Sequence, residues 1–262
     1  MRAPSEFGRV CVLMGGMAAE REISLKSGIA VLDALKSVGI DAEGLDWGEG
    51  FELFELQRFD RIFIAVHGRG GEDGRLQGAL DMLRLPYTGS GFAASALAMD
   101  KIRAKQVWQS CDIPTPHFAV ARSDREPDSR LLKSLGLPLM VKPNREGSSL
   151  GATRVEDRSE LPAAIETALG FDTDVLIEPW ISGVEYTLGV VGRRALPLIK
   201  LETPRDFYDY EAKYFSNTTR YICPAGLSED RERALAKISM DAFDALGSSC
   251  RSLKEKRAEC WK

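Results

Sequence analysis

The first hundred residues alternate between short apolar runs and longer amphipathic stretches. The runs RVCVLMGG and RIFIAVHG, residues 9–16 and 61–68, are continuous enough to predict buried strands. Between them, EISLKSGIAVLDALKSVG has apolar residues at helical spacing and ends at Gly39, a natural C′ cap. A second helix is predicted at LQGALDMLR and a short strand at LPYTG. This alternation predicts a Rossmann-like α/β unit over residues 1–97, with a parallel sheet covered on both faces.

The pattern changes near residue 98. A helix in MDKIRAKQVWQSCDIPTP is stopped by two prolines, and the apolar runs LPLMVKP and TDVLIEPW then bracket a loop rich in glycine and serine. These features predict a central unit over residues 98–183. In EYTLGVVGRRALPLIKLE, two β-rich runs flank Gly192 and Arg193, which predicts an antiparallel hairpin.

That hairpin opens a third predicted unit, residues 184–247, of α+β type. Its last element is a helix in SEDRERALAKISMDAFDALG, with Ser228 as the predicted N-cap. Residues 248–262 show neither a helical nor a strand pattern, and we expect them to be disordered.

Composition narrows the class of protein. The chain has 262 residues, 44% of them hydrophobic and 28% charged, with a net charge of −4. These values are ordinary for a globular protein and give no basic face for nucleic acid or anionic lipid. No apolar run is long enough to cross a membrane, and we expect a cytoplasmic protein. Five scattered cysteines and two histidines argue against a zinc site or a disulfide framework.

The loop in VKPNREGSSLGATRV, residues 141–155, has the composition of an anion cradle, in which backbone N–H groups point at phosphate oxygens. The same loop satisfies the hydrolase pattern G-x-S-x-G at Gly147, Ser149 and Gly151. A hydrolase of that type places its histidine after the serine, whereas both histidines here precede Ser149. We therefore favour the phosphate interpretation. Lys142, at a strand end before Pro143, supplies a matching cation, although a solvated edge lysine is an equal alternative.

Other stretches have weaker local meaning. LIEPWISGVE has the form of an adenine slot with Glu178, Trp180, Ile181 and Glu185, or of a strand end packed by a core tryptophan. HGRGGEDG and GGMAAERE each follow a predicted parallel strand, at the edge where such sheets bind ligands. Glu20, in the second stretch, is also a common type of residue at a helix N-terminus.

Together these stretches resemble the D-alanine:D-alanine ligases, which are ATP-grasp enzymes of peptidoglycan precursor synthesis. The resemblance covers roughly residues 9–247 and is carried by VCVLMGGMAAEREISLKSG, AVHGRGGEDGRLQGALDMLRLPYTGSG, SALAMDKIRAKQVW, VKPNREGSSLG, VLIEPWISGVEYTLGV and FYDYEAKYFSNTTRYICPAGL. It implies an ATP-grasp fold with an N-terminal substrate domain, and a dimer. ATP would bind between the central and C-terminal units.

The resemblance also implies roles for individual residues. The catalytic group would be Glu20, binding the amino group of the first D-alanine, aided by Ser148 and Tyr214. His67 would lie near the second D-alanine. The residues implied for ATP are three lysines that neutralise its phosphates, the serines of the loop above them, and a base and ribose site: Lys101, Lys142, Lys213, Ser148, Ser149, Glu178, Trp180, Ile181 and Glu185. Tyr214 is the residue type of dipeptide-forming members.

The resemblance stops after Gly247. The family continues with strands that bear an arginine for the oxyanion, acidic ligands for Mg²⁺ or Mn²⁺, and an E-x-N-T-x-P-G segment, none of which occurs in residues 248–262. Our hypothesis is that the coding frame changes there or that the gene is a fragment, so that activity is very low or absent. Two alternatives stay open: a non-catalytic remnant that binds D-alanine or nucleotide, and an ATP-grasp ligase of another amino acid.

Overall fold

The computed structural model describes residues 3–125, 127–204 and 218–249. Internal contacts divide the chain into two units. The first comprises the described residues of Met1–Ala96, Val190–Arg194 and Gly247–Lys262, and the second those of Leu97–Gly189 and Ala195–Leu246. No helix in these described ranges is both long enough and apolar enough to cross a membrane.

The first unit is built on a parallel sheet. Its strands are β1 (Val10–Gly15), β2 (Ala42–Trp47) and β3 (Arg61–Ile64), in the order β2-β1-β3. Val10 of the central strand lies opposite Ala42 on one side and Arg61 on the other. Every residue of β1 is buried, which explains its unbroken apolar sequence.

Helices and packed loops cover both faces of this sheet, as the alternating pattern predicts. The helices that supply residues to this packing are α1 (Arg21–Ser37) and α2 (Arg75–Met82), and α3 (Phe92–Met99) follows in the chain. One apolar cluster packs against each side of the sheet. The first holds Val12, Met14, Leu25, Val31, Leu32 and Leu35, and the second Cys11, Leu13, Leu56, Ile62, Leu76 and Leu80. The predicted α/β class is therefore confirmed for this unit.

Local details of the first unit differ from the sequence pattern in two places. The predicted strand LPYTG is reduced to a single parallel bridge between Tyr87 and Ile62, so that expectation is wrong. Conversely, β2 was not predicted, because its sequence AEGLDW mixes polar and apolar residues on a partly exposed edge strand. Gly39 does follow α1 with a φ of +81°, in the left-handed region that suits a C′ glycine.

The second unit contains a four-stranded antiparallel sheet. Its strands are β4 (Ala119–Arg122), β5 (Leu139–Pro143), β6 (Thr153–Val155) and β7 (Asp174–Pro179), in the order β4-β7-β5-β6. The neighbouring helices are α4 (Lys101–Ser110), α5 (Ser129–Ser134) and α6 (Leu161–Leu169). Strands β5 and β6 form a hairpin whose connection is the glycine and serine loop.

The two faces of this sheet have different chemistry. Val141 and Ile177 point into an apolar core that includes Leu161 and other residues of α6. Side chains alternate along a strand, so Lys142 and Glu178, each next in sequence to one of these core residues, lie on the opposite face. Strand register thus places the two charged groups side by side.

A smaller antiparallel sheet follows in the chain. It contains β8 (Glu185–Thr187), β11 (Ile199–Glu202) and β12 (Arg220–Ile222), in the order β12-β11-β8, and the short strands β9 (Val190–Val191) and β10 (Arg194–Ala195) pair between β8 and β11. Gly192 turns between β9 and β10 with a φ of +64°. The predicted hairpin is therefore present: β8 pairs with β11, and β9 pairs with β10 within the connection between them.

The last described helix is α7 (Glu229–Ala245). Ser228 occupies its N-cap position, as predicted, but its side chain makes no capping hydrogen bond. Trp108 of α4 donates its indole N–H to the carbonyl oxygen of Ala242 at 3.1 Å, which ties α7 to α4 within the second unit. Residues 250–262 lie outside the described residues. The division of residues 98–247 into two subdomains stays a prediction.

Candidate functional site

In the first unit, candidate residues gather at the carboxyl ends of β1 and β3. Glu20 follows β1 at the N-cap of α1, and only 2% of its surface is exposed. Its side chain makes no capping hydrogen bond. Gly68 follows β3 with a φ of +67°, and a Cβ at that position would lie 2.5 Å from Glu20 Oε2. The glycine therefore lets the backbone pass close to the carboxylate.

His67 lies beside this carboxylate. Its Nε2 is 3.1 Å from Ser27 Oγ on α1, and its Nδ1 is 3.6 Å from Glu72 Oε1. The contact with Glu72 raises the pKa of His67, partly offset by burial, and the charge of Glu20 adds to the increase. At 3.6 Å the contact is an ion pair rather than a hydrogen bond. The imidazole is thus held by Ser27 at one ring nitrogen and by Glu72 at the other.

In the second unit, the loop between β5 and β6 has unusual backbone geometry. Ser148, Ser149 and Gly151 have φ values of +53°, +61° and +67°. Residues with left-handed φ turn successive peptide groups, and this is the kind of backbone that forms anion-binding concavities. The loop therefore has the geometry, as well as the composition, of an anion cradle.

The root of this loop is fixed by charge and by backbone contacts. Arg145 donates its backbone N–H and its guanidinium to Asp172, at 2.7 Å and 2.6 Å, and a further N–H to Asp174 at 2.8 Å. These hydrogen bonds lower the pKa of Asp172 despite its burial. These contacts anchor the start of the loop to Asp172, which lies between α6 and β7, and to Asp174, the first residue of β7.

Lys101, the first residue of α4, also reaches the loop root. Its ammonium donates to the carbonyl oxygen of Asn144 at 3.1 Å and to that of Glu146. Burial lowers the pKa of Lys101 to about 8, and the nearby charge of Lys142 contributes. A lysine in this environment gains from any anion that arrives beside it.

Glu178, near the end of β7, lies between two ammonium groups. Lys142 Nζ is 2.6 Å from Oε1, and Lys105 Nζ is 2.6 Å from Oε2. Burial alone would raise the pKa of Glu178, but the charge of Lys142 and the hydrogen bonds from both lysines outweigh it and lower the pKa. The carboxylate is thus charged and fixed in position.

Beyond Glu178 the chain continues into Trp180, Ile181 and Glu185. Trp180 donates its backbone N–H to Pro138 at 2.8 Å, and the guanidinium of Arg154 lies 4.8 Å from the centre of its ring. Ile181 is 68% exposed, and Glu185 is the exposed first residue of β8. An exposed apolar residue beside an aromatic ring and a fixed carboxylate is a suitable wall for a flat heterocycle.

Within the described ranges, no group of three or more His, Cys, Asp or Glu side chains is arranged to hold a metal ion.

Comparison with known proteins identifies the family of this chain. The family described as D-ala D-ala ligase C-terminus matches residues 107–253, and D-ala D-ala ligase N-terminus matches residues 40–90. A D-alanine–D-alanine ligase from Nitrosococcus oceani is 55% identical over 245 residues, which cover 93% of this chain and 77% of that protein. This chain belongs to the D-alanine–D-alanine ligase family.

Solved structures of family members extend the comparison to the fold. The crystal structure of the D-alanine–D-alanine ligase from Bacillus anthracis aligns with a TM-score of 0.83 and 32% identity, covering 92% of this chain and 80% of that one. The same ligase complexed with ATP aligns with a TM-score of 0.81 at 32% identity, over 92% of this chain and 79% of that chain. The predicted ATP-grasp fold is therefore confirmed.

The structure of this ligase-family chain brings together most of the residues implied by the resemblance, in two separate groups. In the first unit, Glu20 lies against Gly68, the residue next to His67. In the second unit, Lys142 contacts Glu178, and Lys101 donates to carbonyl oxygens at the root of the loop that holds Ser148 and Ser149. Lys213 and Tyr214 lie outside the described residues. The functional role of each of these residues stays a prediction.

Sequence reasoning missed several partners of these residues. Glu72 is five residues after His67 in the same glycine-rich stretch. A carboxylate in that stretch could have been predicted as a partner of His67. Lys105 is four residues after Lys101 on α4, a spacing that puts both side chains on one helix face. Ser27 gave no such sign, because a serine within an amphipathic helix is unremarkable.

Proposed function

We propose that this chain is a D-alanine–D-alanine ligase that uses ATP to join two D-alanines for peptidoglycan synthesis. A carboxylate oxygen of the first D-alanine attacks the γ-phosphorus of ATP, ADP leaves, and an acyl phosphate forms. The amine of the second D-alanine then attacks the acyl carbon, inorganic phosphate leaves, and the nitrogen loses a proton. The observation that supports this most is the convergence of Lys101 and Lys142 beside a left-handed loop and a fixed carboxylate.

Phosphoryl transfer needs positioning and charge compensation more than covalent help from the protein. We assign Lys101, Lys142 and Lys213 to the phosphates, with the loop of Ser148 and Ser149 above them. Lys101 and Lys142 are half-buried, which strengthens their attraction to an anion because less water screens it than at the surface.

The remaining contacts follow the chemistry of the nucleoside. Trp180 and Ile181 supply apolar walls for adenine, Glu178 supplies a fixed acceptor, and Glu185 is assigned to the ribose hydroxyls. A carboxylate suits a ribose because its two oxygens accept from neighbouring hydroxyls.

For the amino acids, we assign Glu20 to the ammonium of the first D-alanine, with Ser148 and Tyr214 assisting. A carboxylate that is almost fully buried attracts an ammonium strongly. His67 is assigned to the second D-alanine, because its contact with Glu72 raises the pKa of the imidazole and so favours the charged form that attracts a carboxylate. Tyr214 favours D-alanyl-D-alanine as the product. We further propose that the reaction uses Mg²⁺ with the nucleotide, takes place in the cytoplasm and is carried out by a homodimer.

Binding and turnover test this proposal separately. In calorimetric titrations with ADP, Lys142→Met should weaken binding by about tenfold or more, since a charged hydrogen bond contributes about 1.5–3 kcal/mol. Lys133→Met is the matched control, because Lys133 is an exposed lysine of α5 in the same unit, and it should bind ADP as the wild type does.

Turnover is measured as release of phosphate from ATP with D-alanine, and with a panel of other amino acids. Release that depends on D-alanine supports the proposed ligase and contradicts the hypothesis, drawn from residues 248–262, that activity is very low or absent. ADP binding without release under any condition favours the non-catalytic remnant, and release with another amino acid favours the other ligase. If ADP does not bind, or if both lysine variants bind it equally well, the assignment of the site is wrong.

A further inference from the structure

Lys105 is a buried lysine that the family resemblance does not assign to any role. It lies on α4, and only 4% of its surface is exposed. Its ammonium donates to Glu178 Oε2 at 2.6 Å and to Thr115 Oγ1 at 2.8 Å, and it lies 5.4 Å from the centre of the Phe118 ring. Burial of a lysine is costly without such partners. All of its contacts are internal, so the ammonium is held at one point.

The two lysines on Glu178 differ in their freedom. The side chain of Lys142 is 27% exposed, whereas that of Lys105 is 6% exposed. Lys142 contacts Oε1 from the neighbouring strand and Lys105 contacts Oε2 from the helix. Lys142 can therefore exchange its partner for an arriving anion, while Lys105 stays on the carboxylate.

We propose that Lys105 is a positioning residue that sets the specificity of the nucleotide base. It holds the charged carboxylate of Glu178 in place as an acceptor for the 6-amino group of adenine, while Lys142 turns to the phosphates. This inference rests on the proposed function, which assigns Glu178 to the base and Lys142 to the phosphates.

The chemistry of the base supports this role. A carboxylate has four lone-pair positions, so Glu178 can accept from Lys105, from Lys142 and from one further donor. The 6-amino group is the only N–H donor on the adenine ring of a nucleotide. Hypoxanthine has an oxygen at that position, which would face a carboxylate oxygen directly and be repelled.

Removal of Lys105 takes away one of the two positive charges that contact Glu178. Glu178 would then depend on Lys142 alone, because a buried carboxylate without a counter-charge is strongly disfavoured. When a bound nucleotide draws Lys142 to its phosphates, the carboxylate is left without a counter-charge, takes up a proton and no longer discriminates between an amino group and an oxygen. The preference for adenine over hypoxanthine therefore decreases.

The test measures the dissociation constants of ADP and IDP by calorimetry for the full chain and its variants. Wild type should bind ADP about tenfold or more tightly than IDP, the range of a charged hydrogen bond. Lys105→Met should bring the IDP to ADP ratio close to one, and Thr115→Val, which removes the anchor of the ammonium, should reduce it partly. Lys133→Met should leave the ratio unchanged.

The outcomes separate this inference from the proposed function. If Lys105→Met leaves the ratio of the IDP and ADP dissociation constants at its wild-type value, whether or not both nucleotides bind more weakly, Lys105 only supports the fold and the inference is overturned. If Lys105→Met does not fold, Thr115→Val decides in the same way. If wild type itself shows no preference for ADP over IDP, the assignment of Glu178 to adenine fails, and the inference fails with it.

Discussion

Gly151, at the end of the loop between β5 and β6, offers a direct test of the loop geometry. Its φ is +67°, and a Cβ added there would lie 2.6 Å from Phe171 Cδ2 and 2.9 Å from Pro143 Cγ. Both distances are shorter than any stable carbon contact. Gly151→Ala therefore combines a strained backbone with two steric clashes.

The expected cost follows from these two terms. A side chain in the left-handed region costs roughly 1–2 kcal/mol. Phe171 is 43% exposed and can turn away, but Pro143 is buried in β5 and cannot. Overpacking against a fixed group costs about 1–3 kcal/mol. We therefore expect Gly151→Ala to lower the free energy of unfolding by about 2–5 kcal/mol.

Urea unfolding followed by circular dichroism measures this change, and the second unit supplies a matched control. Gly136 is exposed, has no left-handed φ and has no atom within 4 Å of an added Cβ. Gly136→Ala should be neutral or should stabilise by up to about 1 kcal/mol, because alanine restricts the unfolded chain. Equal unfolding free energies for the two variants would refute the reasoning, since the loop would then tolerate a side chain at residue 151.

Two further predictions concern Lys101 and Ser24. Because the pKa of Lys101 is lowered to about 8 and a bound phosphate would raise it, ADP binding should take up a proton above pH 8 and weaken as pH rises. Calorimetry in buffers of different protonation enthalpy detects this uptake, and its persistence in Lys101→Met would contradict the assignment. Ser24 Oγ is buried, accepts from the Gly15 N–H at 2.8 Å and donates to the Ala65 carbonyl at 2.7 Å. Ser24→Ala should therefore cost about 1–3 kcal/mol of unfolding free energy, whereas the exposed Ser37→Ala should change it little, and equal losses would contradict this.

The parts of the fold that sequence predicts are those with a strong local pattern. β1 and α1 follow from an unbroken apolar run and from helical spacing, because in each the buried side is decided within the segment itself. Whether β2 forms, and whether the segment around Tyr87 forms a regular strand, depends instead on the strands beside them in the sheet. An edge strand needs a partner to pair with, and no local pattern reports whether one is present.

The candidate site shows the same limit more clearly. Local pattern identified Lys142 and Glu178 as charged residues at strand ends, but their contact depends on the register of β5 and β7. That register pairs Met140 with Glu178 and so brings Lys142 to the same face, and sequence alone does not fix it. Lys105 joins them only because α4 packs on this face of the sheet.

The lysines assigned to the nucleotide already have partners, and this has a thermodynamic consequence. Lys142 contacts Glu178, and Lys101 donates to backbone carbonyls of the loop. A nucleotide phosphate must therefore exchange with these contacts, so that only the difference between old and new contacts contributes to affinity. The exchange costs least where the partner left behind keeps a counter-charge, as Glu178 does through Lys105. The arrangement thus favours a nucleotide that replaces both contacts at once over an isolated phosphate, which replaces only one.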